Sequence, residues 1–156
     1  MLSALLQLLT SCSLWKPSAP GTSVPLHYPV LLFRDNDFTS RKDEKQLIET
    51  NTAVGIAYED YTILDSSGAQ YSIRKVTAFN RPRFGDFFSM GTSTFKVFLQ
   101  LKSHGKPNMA KAKETLNAVA MRSSEIQNKS TATREINAAT SFAELVELCS
   151  SPWNWR

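Results

Sequence analysis

The chain has 156 residues, 42% apolar and 21% charged, with 6 Gly, 7 Pro and 2 Cys. A chain of this length buries roughly 70% of its extended surface on folding, so a single domain over 1–156 with its own core is expected. Disordered, collagenous, disulfide-framework and multi-span membrane classes are excluded by this composition.

Eighteen Lys and Arg stand against 14 Asp and Glu, a net charge of +4. The excess lies in the second half, and most sharply between Arg74 and Lys113, where nine basic residues face the single acid Asp86. Such a block is either a solvated basic face or the footprint of an acidic partner, protein or nucleic acid.

Residues 1–15 read MLSALLQLLTSCSLW. Leu2, Leu5, Leu6 and Leu9 fall at i, i+3, i+4 and i+7, which predicts an amphipathic N-terminal helix docked on the body. Leu9-Thr10-Ser11-Cys12 also resembles a lipoprotein cleavage box, which makes a lipid-anchored envelope protein, acylated at Cys12, the alternative. No Lys or Arg precedes the apolar run, however, as a secretory segment requires. Residues 16–27 hold three prolines, a glycine and two serines, the composition of an extended linker. An α+β body is expected over 28–156.

Tyr28 to Phe33 (YPVLLF) predicts a short buried strand, with Pro29 near its start where a missing amide donor is tolerated. Arg34-Asp35-Asn36-Asp37 is a turn. Arg41 to Thr50 is expected to form a helix that buries Leu47 and Ile48, with Ser40 and Asp43 near capping-box spacing. Tyr58 to Asp65 and Gln70 to Phe79 alternate as a hairpin around Asp65-Ser66-Ser67-Gly68, where Gly68 supplies the positive φ of a tight turn.

Asn80 to Thr92 reads as a loop. Thr94 to Lys102 is a strand of period two: Phe95, Val97, Leu99 and Leu101 face one way and Lys96, Phe98, Gln100 and Lys102 the other. The longest helix is expected from Asn108, its N-cap, to about Asn128. A polar stretch, Lys129 to Thr140, separates it from a last helix opened by a Ser141/Glu144 capping box and stopped by Pro152. The C-terminal Trp153 and Trp155 either dock on the body or meet a partner, and docking is the expectation. Together these elements predict α+β: a mostly antiparallel sheet of about four strands with helices on one face.

No nucleophile elbow, H-E-x-x-H, P-loop or G-x-G-x-x-G is present. The acids Asp35 and Asp37, Asp43-Glu44 and Glu59-Asp60 read as solvated turn and helix positions, and His104 as an exposed loop residue. Two Cys and two His, scattered along the chain, do not make a spaced zinc site. Neither an enzyme nor a bound cofactor or metal is expected.

The residues that suit recognition are Arg74, Lys75, Arg81, Arg83, Phe84, Phe87 and Phe88. Guanidinium groups bind carboxylate or phosphate through two parallel bonds, and phenyl rings bury large area at small rotamer cost. The competing reading has the three phenylalanines tucked inward, pinning the loop. A third possibility, a single-stranded nucleic-acid binder, uses the same rings to stack unpaired bases.

The YP-apolar strand at Tyr28 to Phe33, the helix ending Leu47-Ile48, and the hairpin Tyr61-Thr62-Ile63-Leu64-Asp65-Ser66-Ser67-Gly68 form a familiar series. With the closing Ser141-Phe142-Ala143-Glu144-Leu145-Val146-Glu147-Leu148, it resembles small immunity proteins of bacterial polymorphic toxin systems, of the contact-dependent inhibition and type VI secretion kinds. The resemblance implies a cytoplasmic, non-catalytic protein that binds one cognate toxin domain and occludes or distorts its active site. Many partners of nuclease toxins are acidic, whereas this chain is basic in its middle, which favours a toxin with an acidic or mixed surface.

Overall fold

The computed structural model describes residues 17–51, 58–79, 94–150 and 155. The expected N-terminal helix, Cys12, the loop from Asn80 to Thr92 and the stop at Pro152 lie outside them.

The described residues form an α+β fold. Seven strands are present among them: β1 (Gly21–Thr22), β2 (Val30–Arg34), β3 (Asp37–Arg41), β4 (Glu49–Asn51), β5 (Thr62–Asp65), β6 (Gln70–Phe79) and β7 (Thr94–Ser103). The helices are α1 (Glu44–Ile48), α2 (Met109–Arg122), α3 (Lys129–Ala138) and α4 (Phe142–Ser150), with a 3-10 turn at Tyr58–Asp60. The sheet runs β1-β7-β6-β5-β2-β3, and β4 also pairs with β7. All pairings are antiparallel except β1 with β7, which is parallel.

The expectation of about four strands is therefore corrected to a mixed sheet of seven. Gly21–Thr22, inside the expected linker, joins the sheet beside Phe98 and Leu99. The expected helix from Arg41 to Thr50 shrinks to α1, because Asp37–Arg41 folds back on β2 and Glu49–Asn51 adds to β7. Asp43, not Ser40, caps α1: its carboxylate accepts from Gln46 N at 2.8 Å, while Gln46 Oε1 accepts from Lys42 N at 2.9 Å. This is a reciprocal cap of the kind that satisfies two orphan amides at once.

β2 is buried on both faces, and its continuous VLLF run is the signature of a strand with cover above and below. On one side Leu31, Phe33, Phe38 and Leu64 pack with α2, α3, α4 and the buried Trp155. On the other, Val30, Leu32, Ile63, Val97 and Leu99 pack with Leu47 of α1 and with Tyr58. Helices on one face alone is thus a second correction: α1 lies on the opposite face from α2–α4. Tyr58 ties that side together by donating its hydroxyl to the Leu47 carbonyl at 2.9 Å.

The β5–β6 turn is held by one carboxylate. Asp65, fully buried, accepts from Ser67 N, Ser67 Oγ and Ala69 N, and reaches across to accept from His27 N. Gly68 follows at φ +90°, and a Cβ there would collide with the Phe142 ring at the start of α4. Glycine is required twice over, by conformation and by close approach.

The expected polar stretch from Lys129 to Thr140 is instead mostly helix α3, and α2 ends at Arg122 rather than near Asn128. Asn128 caps α3 by accepting from Thr131 N at 3.1 Å. Ala132 and Ile136 bury one stripe of it against the core. Lysines close both helix ends: Lys113 Nζ donates to the Asn137 carbonyl at 2.7 Å, and Lys129 Nζ donates to the Met121 carbonyl. Cations at these C-terminal carbonyls complement the helix dipole. The Ser141/Glu144 cap opens α4 as the spacing predicts, with Glu144 N donating to Ser141 Oγ at 3.2 Å. Glu144 also accepts from the Thr140 amide and hydroxyl, and these bonds hold its carboxyl below the usual range. Trp155 docks on the body: its indole Nε1 donates to Glu135 at 2.6 Å and its carbonyl accepts from Asn128 N at 2.7 Å.

Candidate functional site

β6 and β7 are the longest strands, ten residues each, and their faces differ. Ile73, Val76, Val97, Leu99 and Leu101 turn toward the α1 side, where they pack in or against the core. The opposite face carries exposed Lys75, Lys96, Gln100 and Lys102, with Lys75 directly beside Gln100 in the register. Helix α4 lies over β2, β3 and β5, which leaves this basic strip beyond its reach. Lys96 is paired with Glu49 at 3.3 Å. Phe98, expected on the wet face, is buried.

Arg74 and Lys75 both lie in this region and both are exposed. A bulge between Ile73 and Lys75 leaves Arg74 without a partner position on β7. The extra residue keeps Ile73 and Val76 on the same side of the sheet despite the odd spacing between them. Glu59 in the 3-10 turn supports the segment by accepting from Val76 N at 3.3 Å. Arg81, Arg83, Phe84, Phe87 and Phe88 lie outside the described residues, in the chain between β6 and β7.

Several of the remaining sequence candidates have identifiable local duties. Asp43 caps α1, and Asp37 accepts from the Tyr61 hydroxyl at 2.8 Å while lying 3.9 Å from the Arg34 guanidinium. Burial, with the Asp37 bond second, pushes the Tyr61 phenol up to about 12. Arg34 stacks over the Tyr61 ring at 4.9 Å. Cys149 is buried among the helices, and desolvation alone pushes its thiol up to about 12. Such a thiol is a packing residue, not a nucleophile. His104 is exposed at the end of β7. Among the described residues no three His, Cys, Asp or Glu side chains gather to hold a metal ion, and no helix is long and apolar enough to cross a membrane.

Sequence reading missed a groove. Between α2 and the strands β2 and β5 lies an open channel of about 880 Å³, floored by Phe33 and Thr62. Thr115, Ala118 and Val119 of α2 form its wall. A second hollow of about 330 Å³ shares Phe33, Thr62, Lys111 and Thr115 with it and continues to His104 and Lys106. The ends differ in charge. Arg34, Lys111 and Arg122 face Asp35, Asp60 and Glu114 in the larger part, whereas the ionisable groups of the smaller are His104, Lys106 and Lys111 only. The available signal was the run His104-Gly105-Lys106-Pro107 opening a helix with no acid in its first turn. The chain matches no protein-family model, no curated protein and no solved structure.

Proposed function

We propose that this chain is an immunity-type protein of a bacterial polymorphic toxin system, acting in the cytoplasm. It binds a cognate toxin domain and neutralises it by covering the active site, through protein–protein contact and without catalysis. The observation that supports this most is the exposed basic strip of β6 and β7, which leads in sequence into the segment bearing Arg81, Arg83, Phe84, Phe87 and Phe88. An excess of positive charge on an exposed sheet face speeds encounter with an acidic surface and selects against basic ones. Aromatic and arginine side chains beside it supply the anchoring contacts on which interfaces depend. Single-stranded nucleic acid is the weaker reading. Phe79 is half-buried and Phe98 buried, so the described part of the strip offers charge without an exposed ring for a base to stack on.

The test is genetic and then calorimetric. The toxin domain encoded by the neighbouring reading frame is expressed with and without this chain. Restored growth and a stoichiometric complex are the expected results, and Arg74→Glu with Lys75→Glu weakens that complex roughly tenfold or more. A toxin that stays fully active in the presence of excess folded chain overturns the reading.

A further inference from the structure

We infer that the groove between α2 and the sheet is a docking channel for an extended, acidic segment of a partner protein, seated with its carboxylates at the His104–Lys106–Lys111 end. This surface is separate from the β6–β7 strip, and its occupant need not be a toxin.

Helix physics supplies the first reason. The N-terminal end of a helix carries a partial positive charge and is stabilised by acids, not cations. Yet α2 has no acid in its first turn and bears Lys111 there, with Lys106 just before its Asn108 cap. The lysines elsewhere on this helix pair show the contrast. Lys113 and Lys129 each donate to the carbonyls at a helix C-terminus, where a cation belongs. Among the described residues the ammonium groups of Lys106 and Lys111 have no such partner. Local rules broken without internal compensation are a mark of functional sites.

Shape supplies the second. The two hollows adjoin, sharing Phe33, Thr62, Lys111 and Thr115, and their lining follows α2 from Asn108 to Arg122. A helix of this length rises about 20 Å, the span of roughly six extended residues. A lone phosphate fills only the cationic end. A peptide uses the whole channel, with Thr62, Gln70, Asn108 and Thr115 offering hydrogen bonds to its backbone and side chains. Its acids lie against Lys106 and Lys111, and its far end meets the mixed charges of Arg34, Asp35, Asp60 and Arg122.

The probe is a fluorescein-labelled hexaglutamate peptide, titrated at low salt against the full chain and followed by anisotropy and by amide chemical shifts. Saturable binding is expected, with the largest shifts at Gly105, Lys106, Lys111 and Thr115. Lys106→Glu combined with Lys111→Glu should weaken binding about tenfold, while Arg74→Glu with Lys75→Glu leaves it within about twofold. Circular dichroism checks the fold, and Lys106→Ala, an exposed truncation outside the helix, serves as the second variant, expected to weaken binding measurably. The inference is overturned if the shifts centre on β6 and β7, or if neither the double reversal nor Lys106→Ala changes affinity. It is equally overturned if inorganic pyrophosphate reproduces the whole shift pattern and competes the peptide away, which would make the site a simple anion pocket.

Discussion

The two halves of the sheet obey different rules. β2, β3 and β5 lie under helices, and at β2 and β5 residues of both faces are buried: Val30, Leu31, Leu32, Ile63 and Leu64 are all fully out of water. At β6 and β7 the faces differ: Ile73, Val97 and Leu99 are buried on the α1 side, while on the other face Lys75, Gln100 and Lys102 stay wet, although Phe98 there is buried. The lesson is that apolar continuity marks strands sandwiched between layers, and alternation marks strands with one free face. Among the described residues the exposed charge gathers in the second half.

Leu31→Ala should have the largest effect, about 2–5 kcal/mol, since it opens a cavity where the sheet meets the helices. Urea denaturation reads this as a lowered midpoint at unchanged slope. Next comes the joint between the halves. Asp65→Ala leaves His27 N, Ser67 N and Ala69 N without their acceptor, and should cost about 2–3 kcal/mol by the same measurement. A loss below about 0.5 kcal/mol would mean the turn holds without its carboxylate.

The covered half also titrates. Burial raises Cys149 from 9.0 and Tyr61 from 10.0, each to about 12, so both favour the protonated form in the folded state. Below about pH 9 that preference is fully expressed, and it is lost as pH rises toward 12, because the unfolded chain ionises first. Stability measured from pH 8 to 11 should therefore fall progressively, and Cys149→Ser should remove part of the slope. In the Cys12→Ser background, Ellman's reagent should react with the folded protein only as fast as it unfolds. The smallest effects belong to the open half: Lys75→Ala and Lys102→Ala should each change stability by less than about 0.5 kcal/mol. A larger loss would show that the strip is structural.

Legibility followed the same divide. The hairpin around Gly68, the strand from Thr94 and the caps at Asn108 and Ser141 were readable because their signals are local: alternation, a turn glycine, a side chain three residues from the amide it accepts from. What escaped depended on distant partners. β1 is two residues long and pairs with β7, far along the chain, so nothing in its own sequence marks it as a strand. β3 reads DFTSR, with a single buried residue, and becomes a strand because β2 lies beside it. The helix α3 was hidden by its threonines and asparagines, although Asn128 followed by Ala132 and Ile136 at a four-residue step was an available signal. At the candidate site, Arg74 and Lys75 proved exposed as their charge suggests. The groove was illegible, since its floor and wall come from segments that only the folded chain brings together.

One small feature shields the outer edge of this sheet. β7 carries Phe95, Val97 and Leu99 in a ten-residue ribbon, and the side facing away from β6 is closed by two fragments: β4 at Thr94 to Lys96 and β1 at Phe98 and Leu99. An open edge of that length and apolarity is a template on which other chains add strand by strand. Gly21 and Thr22, with Ser23 N donating to the Leu99 carbonyl at 3.0 Å just beyond them, thus act as a stopper on that stretch of the β7 edge.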